Sequence, residues 1–179
     1  MHMHAGVQLG SITGSERYEW EGQPGVFDQP PETGTMPTEL VESLASALAR
    51  HTATPDQCYF AIWEGYAQAL SPAIRAAPTF EVPSRRYHLL TGPVGAVREI
   101  ADGALSRFRS QSPNLWWPQD RAWCVATEID FKTTYIGADG SCVEELATLP
   151  AIEAATVAPD LGIDLFSDTV NPRQALGHR

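Results

Sequence analysis

The sequence predicts an α+β fold, with an antiparallel-leaning mixed sheet packed by two main helices. This fold class is predicted by two helical apolar stripes and by several short β-favouring runs that lie between and after them. The chain of 179 residues, 43% hydrophobic and 19% charged, is long enough to bury a core without disulfides or metals. We expect an extended or partly ordered arm over residues 1–36, one domain over 37–172 and a C-terminal tail over 173–179.

The first helix is predicted over residues 38–50. Leu40, Leu44 and Leu48 recur four residues apart and define one apolar stripe. Pro37 suits the first turn of this helix. Acidic residues near its start and basic residues at its end complement the helix dipole.

A buried strand is predicted at Cys58–Trp63, because this short apolar run is rich in aromatic and β-favouring residues. The alanine-rich stretch 67–77 is broken by Pro72 and stays ambiguous. Residues 80–90 indicate a second strand region, which Pro83 confines to an edge or a kink.

The second main helix is predicted from residue 93 to about Arg109, although Gly103 weakens it by about 1 kcal/mol relative to alanine. A short third helix is expected from Ser141 as N-cap, with Glu144 completing a capping box. Residues 151–157 are a candidate last strand.

Residues 122–129 alternate as a half-buried strand does. Trp123, Val125, Thr127 and Ile129 fall on one face, with Glu128 on the other. Residues 131–136 form the next predicted strand, so that the two runs are either a tight hairpin or one long bent strand.

Charge and composition exclude several function classes. A net charge of −10 and a pI near 4.8 argue against nucleic-acid binding, which needs a basic face. The sequence contains no run of about 20 apolar residues, so no membrane span is predicted. No secretory signal is visible, and three scattered cysteines without a C-x-x-C pair fit a reducing compartment, so we expect a cytoplasmic protein. No phosphate-binding loop, dinucleotide fingerprint or zinc spacing is present, so no cofactor is expected.

The tryptophan-rich segment 112–130 is the most informative part of the chain. Trp116 and Trp117 are adjacent before a proline, so at least one of them is expected at a surface or cleft wall. The pair either marks a binding site or covers the core beside a loop. Asp120 and Arg121 follow, and they either tie the loop to the strand or hold an anionic group. These four residues are the candidate binding site.

A metal site is the weaker alternative. Glu128 and Asp130 lie two apart in the predicted strand, so their carboxylates share a face and could bind a divalent cation or divide acid and base roles. Glu64, at the end of the first strand, is a third candidate ligand. An ordinary solvated sheet face explains the same carboxylates.

Four stretches carry a resemblance to a known family. They are CYFAIWEG at 58–65, YHLLTGP at 87–93, SPNLWWPQDRAWCVATEID at 112–130 and TYIG at 134–137. Together they resemble a family of uncharacterised actinobacterial proteins with a WWPxDRAW segment, over about residues 37–172. The resemblance implies no activity, ligand or catalytic residue.

Three functions follow as hypotheses. The leading one is a small non-catalytic binding or regulatory protein, of the immunity or antitoxin kind. It would present an acidic, tryptophan-bearing surface to a basic protein partner. The second is a divalent-metal-dependent hydrolase using Glu128 and Asp130. The third is a small-molecule carrier with Trp116 and Trp117 lining a pocket. The sequence leaves open whether the protein is an enzyme and what its oligomeric state is.

Overall fold

The structure, a computed structural model, describes residues 32–105 and 110–162. Its centre is a six-stranded sheet in the order β2-β3-β1-β4-β5-β6, in which every neighbouring pair is antiparallel. The strands are β1 Cys58–Trp63, β2 Thr79–Val82, β3 Arg85–Gly92, β4 Leu115–Pro118, β5 Trp123–Thr127 and β6 Thr134–Ala138. The predicted α+β class is confirmed, and the sheet is antiparallel throughout.

Four α-helices accompany the sheet within the described ranges. They are α1 Thr38–Leu48, α2 Pro72–Arg75, α3 Val97–Gly103 and α4 Gly140–Thr148. Short 3-10 turns lie at Ala49–His51, Glu64–Ala69 and Val94–Ala96. No described helix is both long and apolar enough to cross a lipid bilayer.

The main core lies between one face of the sheet and helices α1, α3 and α4. Strand alternation places Phe60, Trp116 and Trp123 on this helix-covered face, and each is at most 1% exposed. The apolar stripe of α1 packs on them through Leu44 and Leu48, both 0% exposed. The predicted first helix and first strand are therefore confirmed, with α1 ending in the 3-10 turn.

Two helix boundaries differ from the sequence prediction. Helix α3 ends at Gly103 and does not continue to Arg109, because glycine is a poor helix former and Leu105 instead bridges to Leu70. Residues 106–109 lie outside the described ranges. Helix α4 is capped by Asp139, whose carboxylate accepts from the Cys142 amide at 2.9 Å. The prediction of Ser141 as N-cap with a capping box is wrong.

Strands β5 and β6 form a hairpin with a six-residue connection, which is longer than the predicted tight hairpin and excludes one long bent strand. The alternation of Trp123, Val125 and Thr127 toward the core is confirmed. Strand β5 ends at Thr127, and residues 128–133 form the connection, so Ile129 and both predicted acidic strand residues lie in a loop. Strand β6 begins at Thr134, three residues later than predicted.

The structure also defines three regions whose conformation the sequence left open. The alanine-rich stretch contains α2, which begins at Pro72 with the Ser71 hydroxyl as its cap. Strands β2 and β3 form a hairpin through Pro83 and Ser84, with Ser84 at φ 68°, and β2 is an edge strand as Pro83 predicted. The candidate strand at 151–157 is wrong, since these residues are irregular.

Part of the predicted arm belongs to the packed structure. Met36 is 4% exposed in the core, and the Gly34 amide donates to the Phe131 carbonyl at 2.9 Å. Gly34 has φ 75°, and a Cβ there would lie 2.7 Å from the Ile129 carbonyl oxygen, so only glycine fits. Residues 1–31 and the predicted tail at 173–179 lie outside the described residues.

Candidate functional site

The second face of the sheet is rich in aromatic side chains. We call it the open face, because α1, α3 and α4 all pack on the other side. Its aromatic members on strands β1 to β4 are Tyr59, Trp63, Phe80, Tyr87 and Trp117. All are partly exposed except Tyr87, which is 3% exposed.

Four of these rings form a continuous layer, which we call the aromatic layer. Tyr59 stacks on Trp117 at 5.6 Å between centroids, and Phe80 stacks on Tyr87 at 5.8 Å. Phe80 and Trp117 meet edge to face at 6.1 Å although β3 and β1 lie between their strands. The rings therefore lie across the sheet surface, on the same face as Ala61, which is 0% exposed. Such ring pairs add about 0.5–1.5 kcal/mol beyond their burial.

The open face ends in a charged cluster, which we call the acidic corner: Arg85, Glu128 and Asp130. The Arg85 guanidinium lies 5.6 Å from the centroid of Trp63. Its Nη2 donates to Glu128 Oε1 and to Asp130 Oδ2, each at 3.1 Å. The hydrogen bond to Glu128 is the main cause that raises the pKa of Arg85, which stays charged.

The predicted metal ligands do not assemble into a site. Glu128 and Asp130 are held by Arg85, and Glu64 pairs instead with Arg86 at 3.7 Å. Within residues 32–105 and 110–162 no group of three or more His, Cys, Asp or Glu side chains is placed to hold a metal ion. The structure thus offers the hydrolase hypothesis no assembled centre in the described chain.

Trp116 and Trp117 lie on opposite faces of the sheet. Trp116 is 1% exposed, packs edge to face on Trp123 at 5.3 Å and stacks on Phe60 at 6.2 Å. Trp117 belongs to the aromatic layer. Adjacent strand residues point in opposite directions, so the hypothesis of one pocket lined by both tryptophans is wrong. Trp116 is part of the core, and Trp117 is the one available to a partner.

Asp120 anchors a loop. Its carboxylate accepts from the Thr52 hydroxyl at 2.8 Å and from the amides of Ala53 at 2.7 Å and Ala122 at 3.1 Å. Burial raises the pKa of Asp120, but these hydrogen bonds together outweigh it and the net pKa is lowered. The carboxylate thus joins the chain before β1 to the β4–β5 turn. The neighbouring Arg121 is exposed at φ 59° and lies at the edge of this turn.

Asn114 is a buried residue whose importance the sequence did not reveal. It is 1% exposed, and its Oδ1 accepts from the Trp63 amide at 2.9 Å. Its Nδ2 donates to the Thr127 carbonyl at 3.2 Å and lies 3.3 Å from the Tyr66 hydroxyl. Asn114 therefore fixes the distance between the ends of β1 and β5, from which Trp63 and Glu128 reach the acidic corner.

Two buried cysteines and two histidines of the described chain are in structural environments. Burial raises the pKa of Cys58 and of Cys142 to about 11, so both thiols stay protonated at neutral pH and are poor nucleophiles. His51 pairs with Glu145 at 2.8 Å, and His88 Nδ1 lies 3.4 Å from the Ala77 carbonyl.

One small hollow lies at the Cys58 end of β1. Its volume is about 230 Å³, and its walls include Asp56, Gln57, Tyr59 and Gln119. Sites for drug-sized ligands usually measure about 300–1,000 Å³. This hollow is smaller and open, so it is a weaker candidate site than the aromatic layer.

Comparison of the chain with protein-family models, with curated proteins and with solved structures found no match. The candidate site is therefore assigned from geometry alone: it is the aromatic layer on the open face, beside the acidic corner.

Proposed function

We propose that this protein is a non-catalytic binding protein that recognises another protein through the open face. The observation that carries the proposal is the aromatic layer, whose rings Tyr59, Phe80 and Trp117 are partly exposed on the face opposite α1, α3 and α4. Tryptophan and tyrosine dominate the binding energy of protein interfaces, and they need few rotatable bonds to be ordered.

The size of the face favours a segment of a partner over a broad rigid surface. Six strands about 4.8 Å apart and about five residues long give a flat area on the order of 400 Å². This area is smaller than the roughly 800 Å² that each partner buries in a standard interface.

The polar groups of the described chain also support binding over catalysis. Asp120, Asn114 and Asp139 are engaged in loop, strand and helix-cap hydrogen bonds. The carboxylates nearest the open face are neutralised in part by Arg85. Such groups hold loops, strand ends and a helix end in place.

The test is co-purification from a native lysate with wild-type protein, Trp117→Ser and a matched control, Leu161→Ser. Leu161 is 50% exposed near the end of the described chain, so the control also removes an exposed apolar side chain. We expect wild type and control to retain the same partner and Trp117→Ser to lose it, with a melting temperature lower by only about 2–4 °C. Equal recovery by all three proteins, or no partner with any of them, would contradict the proposal.

A further inference from the structure

The acidic corner holds more negative than positive charge. One guanidinium nitrogen, Nη2 of Arg85, serves both Glu128 Oε1 and Asp130 Oδ2. Arg85 therefore does not form the two parallel hydrogen bonds of a bidentate arginine–carboxylate pair. Two carboxylates and one guanidinium leave a formal charge of −1. The Asp130 side chain is 72% exposed, so its second oxygen faces solvent.

The corner is also contiguous with the aromatic surface. Arg85 lies over the Trp63 ring, and Trp63 is the strand neighbour of Tyr87 in the aromatic layer. A ring beside carboxylates is a favourable environment for a cation. Arg85 lies over the Trp63 ring, so an incoming cation would bind at the exposed carboxylate of Asp130 beside this pair.

The charge of the whole chain acts in the same direction. A net charge of −10 attracts cationic partners at long range and speeds their encounter. It repels a second copy of the chain, nucleic acids and anionic membranes. Among the occupants of a small aromatic face, a cationic protein segment is the one that both the local and the overall charge favour.

We infer that the partner segment carries an arginine that binds at the acidic corner, next to an aromatic residue that packs on the aromatic layer. The inference rests on the proposed function and names the chemistry of its partner. Arginine fits better than lysine, because its planar guanidinium can donate to Asp130 and Glu128 together and can stack beside Arg85 and Trp63. Phe80 and Trp117 supply the apolar contact.

The probes are two peptides, acetyl-Trp-Gly-Arg amide and the same peptide with citrulline, a neutral near-isostere of arginine. Binding is followed by NMR through the indole N–H signals of the five tryptophans of the full chain. We expect the arginine peptide to shift the Trp117 and Trp63 signals saturably and to bind about tenfold more tightly than the citrulline peptide at low salt.

Two variants locate the cation. Asp130→Asn should remove the advantage of arginine over citrulline without unfolding the chain, since this side chain is mostly exposed. Glu42→Gln, which removes a carboxylate paired with Arg98, should keep it. If the arginine advantage persists in Asp130→Asn, the cation binds elsewhere and the inference is wrong.

The outcomes also separate the inference from the proposed function. Equal binding of both peptides, with shifts at Trp117, would contradict the arginine inference and support the open face as a binding surface. No shift at Trp117 with either peptide up to millimolar concentration would count against both.

Discussion

The two faces of the sheet contain the same kinds of side chain in adjacent positions, but only one face is covered by the long helices. Phe60 and Trp116 face the helices and are 0% and 1% exposed. Their neighbours Tyr59 and Trp117 point to the open face and are partly exposed. The difference arises from what packs on each face and not from composition. One set of strands therefore supplies a core on one side and a candidate recognition surface on the other.

Trp116→Ala is expected to have the largest effect, because it opens a cavity in the helix-covered core. Truncation of a buried tryptophan reduces the free energy of unfolding by about 3–5 kcal/mol. Trp117→Ala removes a partly exposed ring and should reduce it by about 1 kcal/mol. Urea denaturation of both variants measures the comparison. Similar losses for the two variants would show that the faces do not differ in this way.

Asn114→Ala should have the next largest effect. The change leaves the Trp63 amide and the Thr127 carbonyl without their side-chain partner in a buried position. An unsatisfied buried polar group costs about 1–3 kcal/mol, so a loss of about 2–3 kcal/mol is expected. The same variant should loosen the end of the open face, which faster hydrogen exchange at the Trp63 amide would report. Unchanged exchange there would contradict the role assigned to Asn114.

Asp120→Asn should change how stability depends on pH. The folded-state pKa of Asp120 is lowered, so its carboxylate contributes stability above its unfolded pKa, near 4, and loses that contribution as pH falls through the folded value. We expect wild-type protein to lose stability more steeply than Asp120→Asn below about pH 4. Denaturation midpoints between neutral and acidic pH measure this. The control Asp160→Asn, at an exposed position, should follow wild type.

The cysteines offer the smallest and simplest comparison of the two faces. Cys124 points to the open face and is exposed, whereas Cys58 and Cys142 are buried in the core. Desolvation of the sulfur raises the pKa of all three thiols, even at Cys124, where the residue as a whole is exposed, so labelling should be slow at neutral pH and faster as pH rises. In the native protein a thiol reagent should label Cys124 first, which peptide mass spectrometry measures. Equal labelling of Cys58 would contradict the assignment of faces.

Local patterns predicted the elements whose character is set by neighbouring residues. The leucine stripe of α1, the apolar run of β1 and the alternation of Trp123, Val125 and Thr127 each carry their own periodicity. Boundaries were less accurate, because Asp139 and Ser141 are both good cap residues two positions apart. Local pattern alone does not decide which of the two residues caps the helix.

Contacts between residues far apart in the sequence could not be predicted from local patterns. Arg85 reaches Glu128 and Asp130 across 43 and 45 residues of chain, and Asn114 reaches Trp63 across 51. These contacts depend on the order of the strands in the sheet, and strand order cannot be deduced from the periodicity of a single segment. At least one of the two adjacent tryptophans was expected at a surface, but only the pairing of β4 with β1 assigns Trp116 to the core and Trp117 to the open face.

The most direct test of the account is the affinity of the co-purified partner for wild-type protein, Trp117→Ser and Leu161→Ser, measured by titration calorimetry. If the open face is the recognition surface, Trp117→Ser should weaken binding by about thirtyfold or more, which corresponds to at least 2 kcal/mol, while its melting temperature changes little. Leu161→Ser should bind as wild type does. Equal affinity for all three proteins would contradict the assignment of recognition to the open face.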